Sequence, residues 1–139
     1  MAEEHNVDVR VLTPEGEVFT GEVHQVSTRT AVGEIGILAN HVPLLARLLP
    51  TELRLHMPDG EVQRWAQAEG WLQVFANRAT VLVTEAIPPD RLDPGELRNR
   101  IEDADARLSE SEEDSGAHTQ AEKDKRRAEA FLEVAENQG

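Results

Sequence analysis

The residues whose types and spacing most invite chemistry lie in one stretch, GEIGILANHVPLLARL, residues 33 to 48. Gly33 and Gly36 bracket Glu34 and Ile35, and Asn40, His41 and Pro43 interrupt the apolar run that follows. Three uses suit such a pattern: a loop that cradles phosphate, an active-site turn, or an apolar segment presented to another protein. A phosphate loop needs Gly-Lys-Ser/Thr after its glycine turn, so that backbone N–H groups and an ammonium meet the anion. None follows here, and Glu34 would repel phosphate. Dinucleotide spacing fails as well, because no third glycine opens a helix. The five histidines are dispersed, with no HExxH pair and no cysteine to complete a zinc site. No G-x-S-x-G elbow occurs. His41 alone reads as a hydrogen-bonded turn residue, and the carboxylates of the turns and tail as solvated surface. No catalytic, cofactor-binding or metal-ligating residue is therefore assigned. The stretch is left as an irregular loop, with Gly33 and Gly36 permitting left-handed or close backbone, Asn40 tolerating a left-handed conformation and Pro43 restricting Val42. Some of its apolar side chains must turn inward, and the others make a patch rimmed by Glu34 and His41, the character of a docking surface.

The bulk properties narrow the partners. A net charge of −13 on 139 residues repels nucleic acid phosphates, and no basic stripe with interleaved aromatics offsets it. With no cysteine there are no disulfide staples or thiolate metal sites. No apolar run approaches the roughly 20 residues that span a bilayer. Met1 to His5 lack a basic and an apolar region, so no secretory leader is expected there.

The elements that must position the stretch fall into two groups, divided near Pro88-Pro89. Residues 1–87 hold both tryptophans and most of the valine and isoleucine. Val7, Val9 and Val11 alternate with Asp8 and Arg10, and Leu53, Leu55 and Met57 with Arg54 and His56, the period of half-buried strands. Trp71 to Phe75 and Thr80 to Thr84 are further strand-rich runs. Turn signals stand at Glu15-Gly16, Asp59-Gly60 and Asn77-Arg78. Short, closely spaced strands predict an antiparallel sandwich or barrel. Residues 88–139 predict a two-helix hairpin. Asp93 serves as N-cap, Pro94 as first helical residue and Glu96 as capping-box partner, with Leu97, Ile101, Ala104 and Leu108 as one apolar stripe. Glu110 to Gly116 end that helix, and Thr119 with Glu122 opens the second, whose apolar side is Ala121, Ala128, Phe131, Leu132 and Ala135. Stripes so rich in alanine bury little area, so a permanently docked hairpin and a movable arm are both open.

The 33–48 stretch, followed by AEGWLQVFANRATVLVTEA, resembles the signature of the epsilon subunit of bacterial F-type ATP synthase. That family usually carries Gly-Glu-Leu-Gly-Ile-Leu-Pro-Gly-His-Ala-Pro-Leu-Leu and then Gly-Gly-Phe-Leu-Glu-Val. The likeness extends over nearly the whole chain. Ala39-Asn40 stand here for Pro-Gly, and Glu69-Gly70 for Gly-Gly; asparagine can take the glycine's backbone conformation at modest cost.

The resemblance implies a flattened sandwich of about ten strands followed by a helix-turn-helix. It also implies a non-catalytic rotor component that binds the gamma subunit and rests on the ring of c subunits. Glu34 is then expected in the loop facing the c ring, and His41 with Pro43, Leu44 and Leu45 near gamma, with Ile35 and Val42 also at the surface that meets these two partners. The location implied is peripheral, on the cytoplasmic side of a bacterial inner membrane. In the family the hairpin folds against the sandwich or extends into the catalytic head and opposes ATP hydrolysis. Lys123, Lys125, Arg126 and Arg127 are the densest basic cluster, suited to acidic segments of the alpha and beta subunits, although Glu122 with Arg126 also fits pairing within the helix. Some members bind ATP through Ile/Leu-Asp-x-x-Arg-Ala. Here Leu92-Asp93-Pro94-Gly95-Glu96-Leu97 puts Glu96 in the arginine's place, and Arg98, two residues late, points about 200° away, so ATP binding is expected to be weak or absent. The runner-up is a stand-alone sandwich binding module with a helical dimerisation hairpin.

Overall fold

In a computed structural model, which describes residues 5–137, ten strands precede a 3-10 turn and two helices. The strands are β1 (Val7–Thr13), β2 (Gly16–Val23), β3 (Gln25–Thr30), β4 (Gly33–Ile37), β5 (Leu44–Leu48), β6 (Thr51–His56), β7 (Val62–Gln67), β8 (Gly70–Phe75), β9 (Arg78–Val83) and β10 (Ala86–Ile87). The turn Pro89–Arg91 leads to α1 (Pro94–Glu110) and α2 (Gly116–Glu136). Met1 to Glu4, read above for a leader, lie outside the described residues.

The strands form one mostly antiparallel sheet in the order β10-β7-β6-β3-β5-β8-β9-β1-β2, with β4 beside β3, folded into a near-barrel sandwich. The expected alternation sets its inside: Val7, Val9, Val11, Leu53, Leu55, Leu72, Val74 and Val81 are buried in one cluster, and Phe19 meets Trp65 edge-on at 6.0 Å. One pairing departs from an antiparallel sandwich. β1 runs parallel to β9, with Val9 beside Ala79, so the N-terminal strand joins the last long strand.

The 33–48 stretch is not an irregular loop. It is a strand, a turn and a strand: Gly33–Ile37 pairs with β3, Leu38 to Pro43 turn, and Leu44–Leu48 pairs with β8. Neighbouring strands absorb the backbone hydrogen-bonding groups that a loop would leave to solvent. Two glycine-like positions behave as anticipated. Gly33 has φ +133 and Asn40 has φ 61. Gly36 instead serves close approach, since a Cβ there would lie 2.5 Å from Gln25 Nε2.

The β8–β9 turn sits one residue earlier than Asn77-Arg78. Ala76 and Asn77 both have positive φ, 50 and 60, and Arg78 is already in the strand. That is a two-residue hairpin turn whose twist matches its strands.

In α1 the Asp93 side chain accepts from the Gly95 and Glu96 N–H groups, as expected of an N-cap. The Glu96 carboxylate does not close a capping box; it pairs with Arg100 one turn on. The start of α2 also differs from the reading at Thr119. Ser115 is the N-cap and accepts from the His118 N–H at 3.1 Å, while the Thr119 hydroxyl donates back to the Ser115 carbonyl at 3.2 Å. The serine preceding a glycine therefore captures the free N–H groups first.

The hairpin is docked. Phe131, Val134 and Leu97 are buried against Ala66 and Ala68 of the β7 region in a second cluster. This explains why Trp65, Ala66, Gln67 and Ala68 are buried in unbroken succession: both faces of β7 are covered.

Candidate interaction surfaces

The strand–turn–strand of residues 33 to 48 places its expected contact residues in two separate locations. Glu34 is exposed at the start of β4, where Arg29 pairs with it across the sheet at 3.2 Å. The adjoining turn thrusts Val32 almost wholly into solvent. Ile35 is half-buried and packs on the main core. His41, Val42 and Pro43 lie beyond the opposite end of β4, and five residues at about 3.3 Å each separate the two locations. The His41 Nδ1 lies 2.7 Å from the Val42 carbonyl oxygen. A carbonyl only accepts, so this nitrogen carries the proton and the ring is engaged in holding its own turn. Leu44 is half-buried against the core.

The exposed apolar side chains extend past the residues singled out from sequence. Val42 and Leu45 are each 69% exposed, and Phe75 is 64% exposed. Leu38, Trp71 and Leu82 are also exposed. Registers Leu45–Gln73, Arg47–Trp71 and Trp71–Leu82 put Leu45, Trp71 and Leu82 on the outer face of β5, β8 and β9, with Phe75 on the same face. The signal for this face was in the alternation of β8: Leu72 and Val74 point inward, so Trp71 and Phe75 must point out.

The basic cluster of α2 does not act as one patch. Lys125 reaches Asp105 of α1 at 2.7 Å. Arg127 donates two hydrogen bonds of 2.9 Å to Glu69, on the β7–β8 connection. Arg126 is 3.6 Å from Glu122, the pairing within the helix anticipated above. Lys123 is exposed. Two of the four cations thus clamp the hairpin and two face outward.

Electrostatics support the clamp. Burial acts to raise the Glu69 pKa, yet hydrogen bonds from Arg127 and the nearby charges of Arg127 and Lys123 hold it below the ordinary value. Glu52 behaves likewise: burial opposes ionisation, and hydrogen bonds from Arg64 and Arg54 outweigh it. Asp124 is also lowered, by Gln120 and Arg107 against burial. A general acid at neutral pH needs the reverse shift. Among the described residues no group of three or more His, Asp or Glu could hold a metal ion, and no helix is long and apolar enough to cross a membrane.

Residues 6–89 match the family model described as the ATP synthase delta/epsilon chain, beta-sandwich domain. The chain is 41% identical over 128 residues to the ATP synthase epsilon chain of Persephonella marina, covering 91% of this chain and 94% of that one. It is 36% identical over 125 residues to the epsilon chain of a Sulfurihydrogenibium strain, covering 90% and 93%. Its fold is similar to a chain of the Euglena gracilis mitochondrial ATP synthase, with a TM-score of 0.83 at 22% identity, covering 95% of this chain and 82% of that one.

Proposed function

This chain belongs to the ATP synthase epsilon-chain family, and from that premise we propose that it sits in the central stalk, its sandwich held between the gamma subunit and the c ring. It is a non-catalytic subunit. The observation that carries the stalk reading is the exposed apolar surface, in which the turn residue Val42 and the outer-face residues Leu45 and Phe75 are each well over half exposed in a chain otherwise rich in charge. An apolar surface of this kind is a contact awaiting a partner. Gamma covers the end that holds His41, Val42, Pro43 and Leu44; the Glu34 and Ile35 end meets the c ring. Residues 1–87 are the stalk-binding unit and residues 88–139 the regulatory one. The assembly carries the chain to the cytoplasmic side of a bacterial membrane, where it passes proton-driven rotation toward ATP synthesis.

The hairpin restrains ATP hydrolysis by leaving its docked site and extending toward the alpha and beta subunits. Among the described residues Lys123 has no ion pair and Arg126 only a 3.6 Å pair with Glu122, so both can meet acidic partners, and Lys125 and Arg127 become free once their clamps open. Two experiments test this reading. The chain should co-purify with gamma, and Val42→Asp with Leu45→Asp should abolish that; a double variant that still co-purifies sinks the docking face. Deleting residues from Asp93 onward should raise hydrolysis in the assembled enzyme, and unchanged hydrolysis sinks the regulatory role.

A further inference from the structure

A groove of about 620 Å³ runs along the seam between the outer sheet face and α2. Its floor is one register row across four strands: Arg47 on β5, Trp71 on β8, Leu82 on β9 and Leu12 on β1. Side chains in one row share a face, so the row sets an indole and two leucines side by side with a guanidinium at one end. The opposite wall is helical, formed by Lys123 and Arg126. The volume lies within the range of small-molecule sites.

The charges are out of keeping with the rest of the molecule. Acids outnumber bases 27 to 14, and nearly every base has found a carboxylate. Among the described residues Arg47, Arg91 and Lys123 are the basic side chains without an ion pair. Two of those three line this groove, and Arg126 beside them is held by Glu122 at only 3.6 Å. The groove's own acid, Glu69, takes both hydrogen bonds from Arg127, and the Lys123 charge also acts on it.

From this juxtaposition we propose that the seam groove binds a small amphiphilic monoanion, a carboxylate or sulfonate on an apolar body. The body lies on Trp71, Leu82 and Leu12, and the anionic head sits between Arg47 and Lys123, where charge-assisted hydrogen bonds replace water. One wall belongs to the sandwich and the other to the hairpin. A ligand that needs both walls binds the docked form alone and stabilises it by mass action. Trp71 and Leu82 share the outer face with Leu45 and Phe75, so a stalk partner covering that whole face excludes the ligand, and the free chain is the form that binds it.

The full chain carries its own reporter. Trp65 is buried and Trp71 is half-exposed, so ligand-dependent fluorescence change arises at the groove. Titration with decanoate should saturate with a blue shift, and amide exchange across residues 121–134 should slow. Decylammonium and decan-1-ol, with the same tail, should bind at least about tenfold more weakly, the scale of one lost charge-assisted hydrogen bond. Arg47→Ala and Lys123→Ala, both exposed positions, should each weaken decanoate by a similar factor while leaving the thermal midpoint unchanged. Equal binding of the three probes, or decanoate affinity untouched in both variants, overturns the proposal. So does flotation with phosphatidylglycerol vesicles that depends on the same two residues, since the anion would then be a lipid headgroup.

Discussion

Arg127 and Glu69, fifty-eight residues apart, meet through two parallel hydrogen bonds of 2.9 Å that tie the second helix to the sandwich. The pair is about one-third exposed, so its contribution falls between the surface and buried limits, at about 1–2 kcal/mol. Glu69→Gln should speed amide exchange in α2 by roughly tenfold at neutral pH without unfolding the sandwich. Exchange at the wild-type rate would show that Phe131 and Val134 alone hold the hairpin.

The same pair sets a pH dependence. The folded Glu69 pKa lies below the ordinary value of 4.5, so its stabilisation is fully present above that value and is lost as pH falls through the lowered one. Helix docking should therefore loosen on acidification below about pH 4.5, and Glu69→Gln should flatten that part of the profile. Exchange rates of α2 against pH in the two proteins decide it.

Gly70 is required by close approach. A Cβ there would lie 1.9 Å from the Leu82 carbonyl oxygen and 2.7 Å from the Val83 Cα, both main-chain atoms that cannot swing away. Gly70→Ala should force β8 from β9 and cost about 2–3 kcal/mol in urea denaturation, the upper range for overpacking. A loss under half a kcal/mol, ~0.5, would mean the strands separate freely.

Asn77 joins three segments. Its side chain accepts the Asn40 N–H at 2.8 Å and donates to the Asn6 carbonyl at 2.9 Å, while its backbone has φ 60. Asn77→Ala loses both bonds and strains the turn, an expected cost of about 2–3 kcal/mol. Asn77→Gly should recover only the backbone share. Thermal unfolding of the two variants separates the contributions.

Glu96 puts a carboxylate where the motif Ile/Leu-Asp-x-x-Arg-Ala carries arginine, and here it is committed to Arg100. Isothermal calorimetry of the isolated chain with ATP should give no heat of binding at micromolar concentrations. A micromolar dissociation constant would refute this expectation.

How much was legible in the sequence depended on the range of the forces involved. Alternation at Val7, Val9 and Val11 and the N-cap at Asp93 are local consequences of backbone geometry, and the structure keeps them. The signature around Gly33 was readable as a likeness, yet its strand–turn–strand form was not, because strands β4 and β5 exist only through hydrogen bonds to β3 and β8. Local competition misled where Ser115 took the cap assigned to Thr119 and where Glu96 turned to Arg100 instead of closing a capping box.

By itself, then, the order of residues determined the strand faces, the two-helix tail and the lack of a catalytic motif, since each follows from neighbours a few positions apart. Only the tertiary structure decided that β1 runs parallel to β9, that both faces of β7 are covered, and that Lys125 and Arg127 point inward while Lys123 and Arg126 line a groove. Those outcomes turn on partners distant along the chain, whose proximity is set by how the sheet closes and where the hairpin lands.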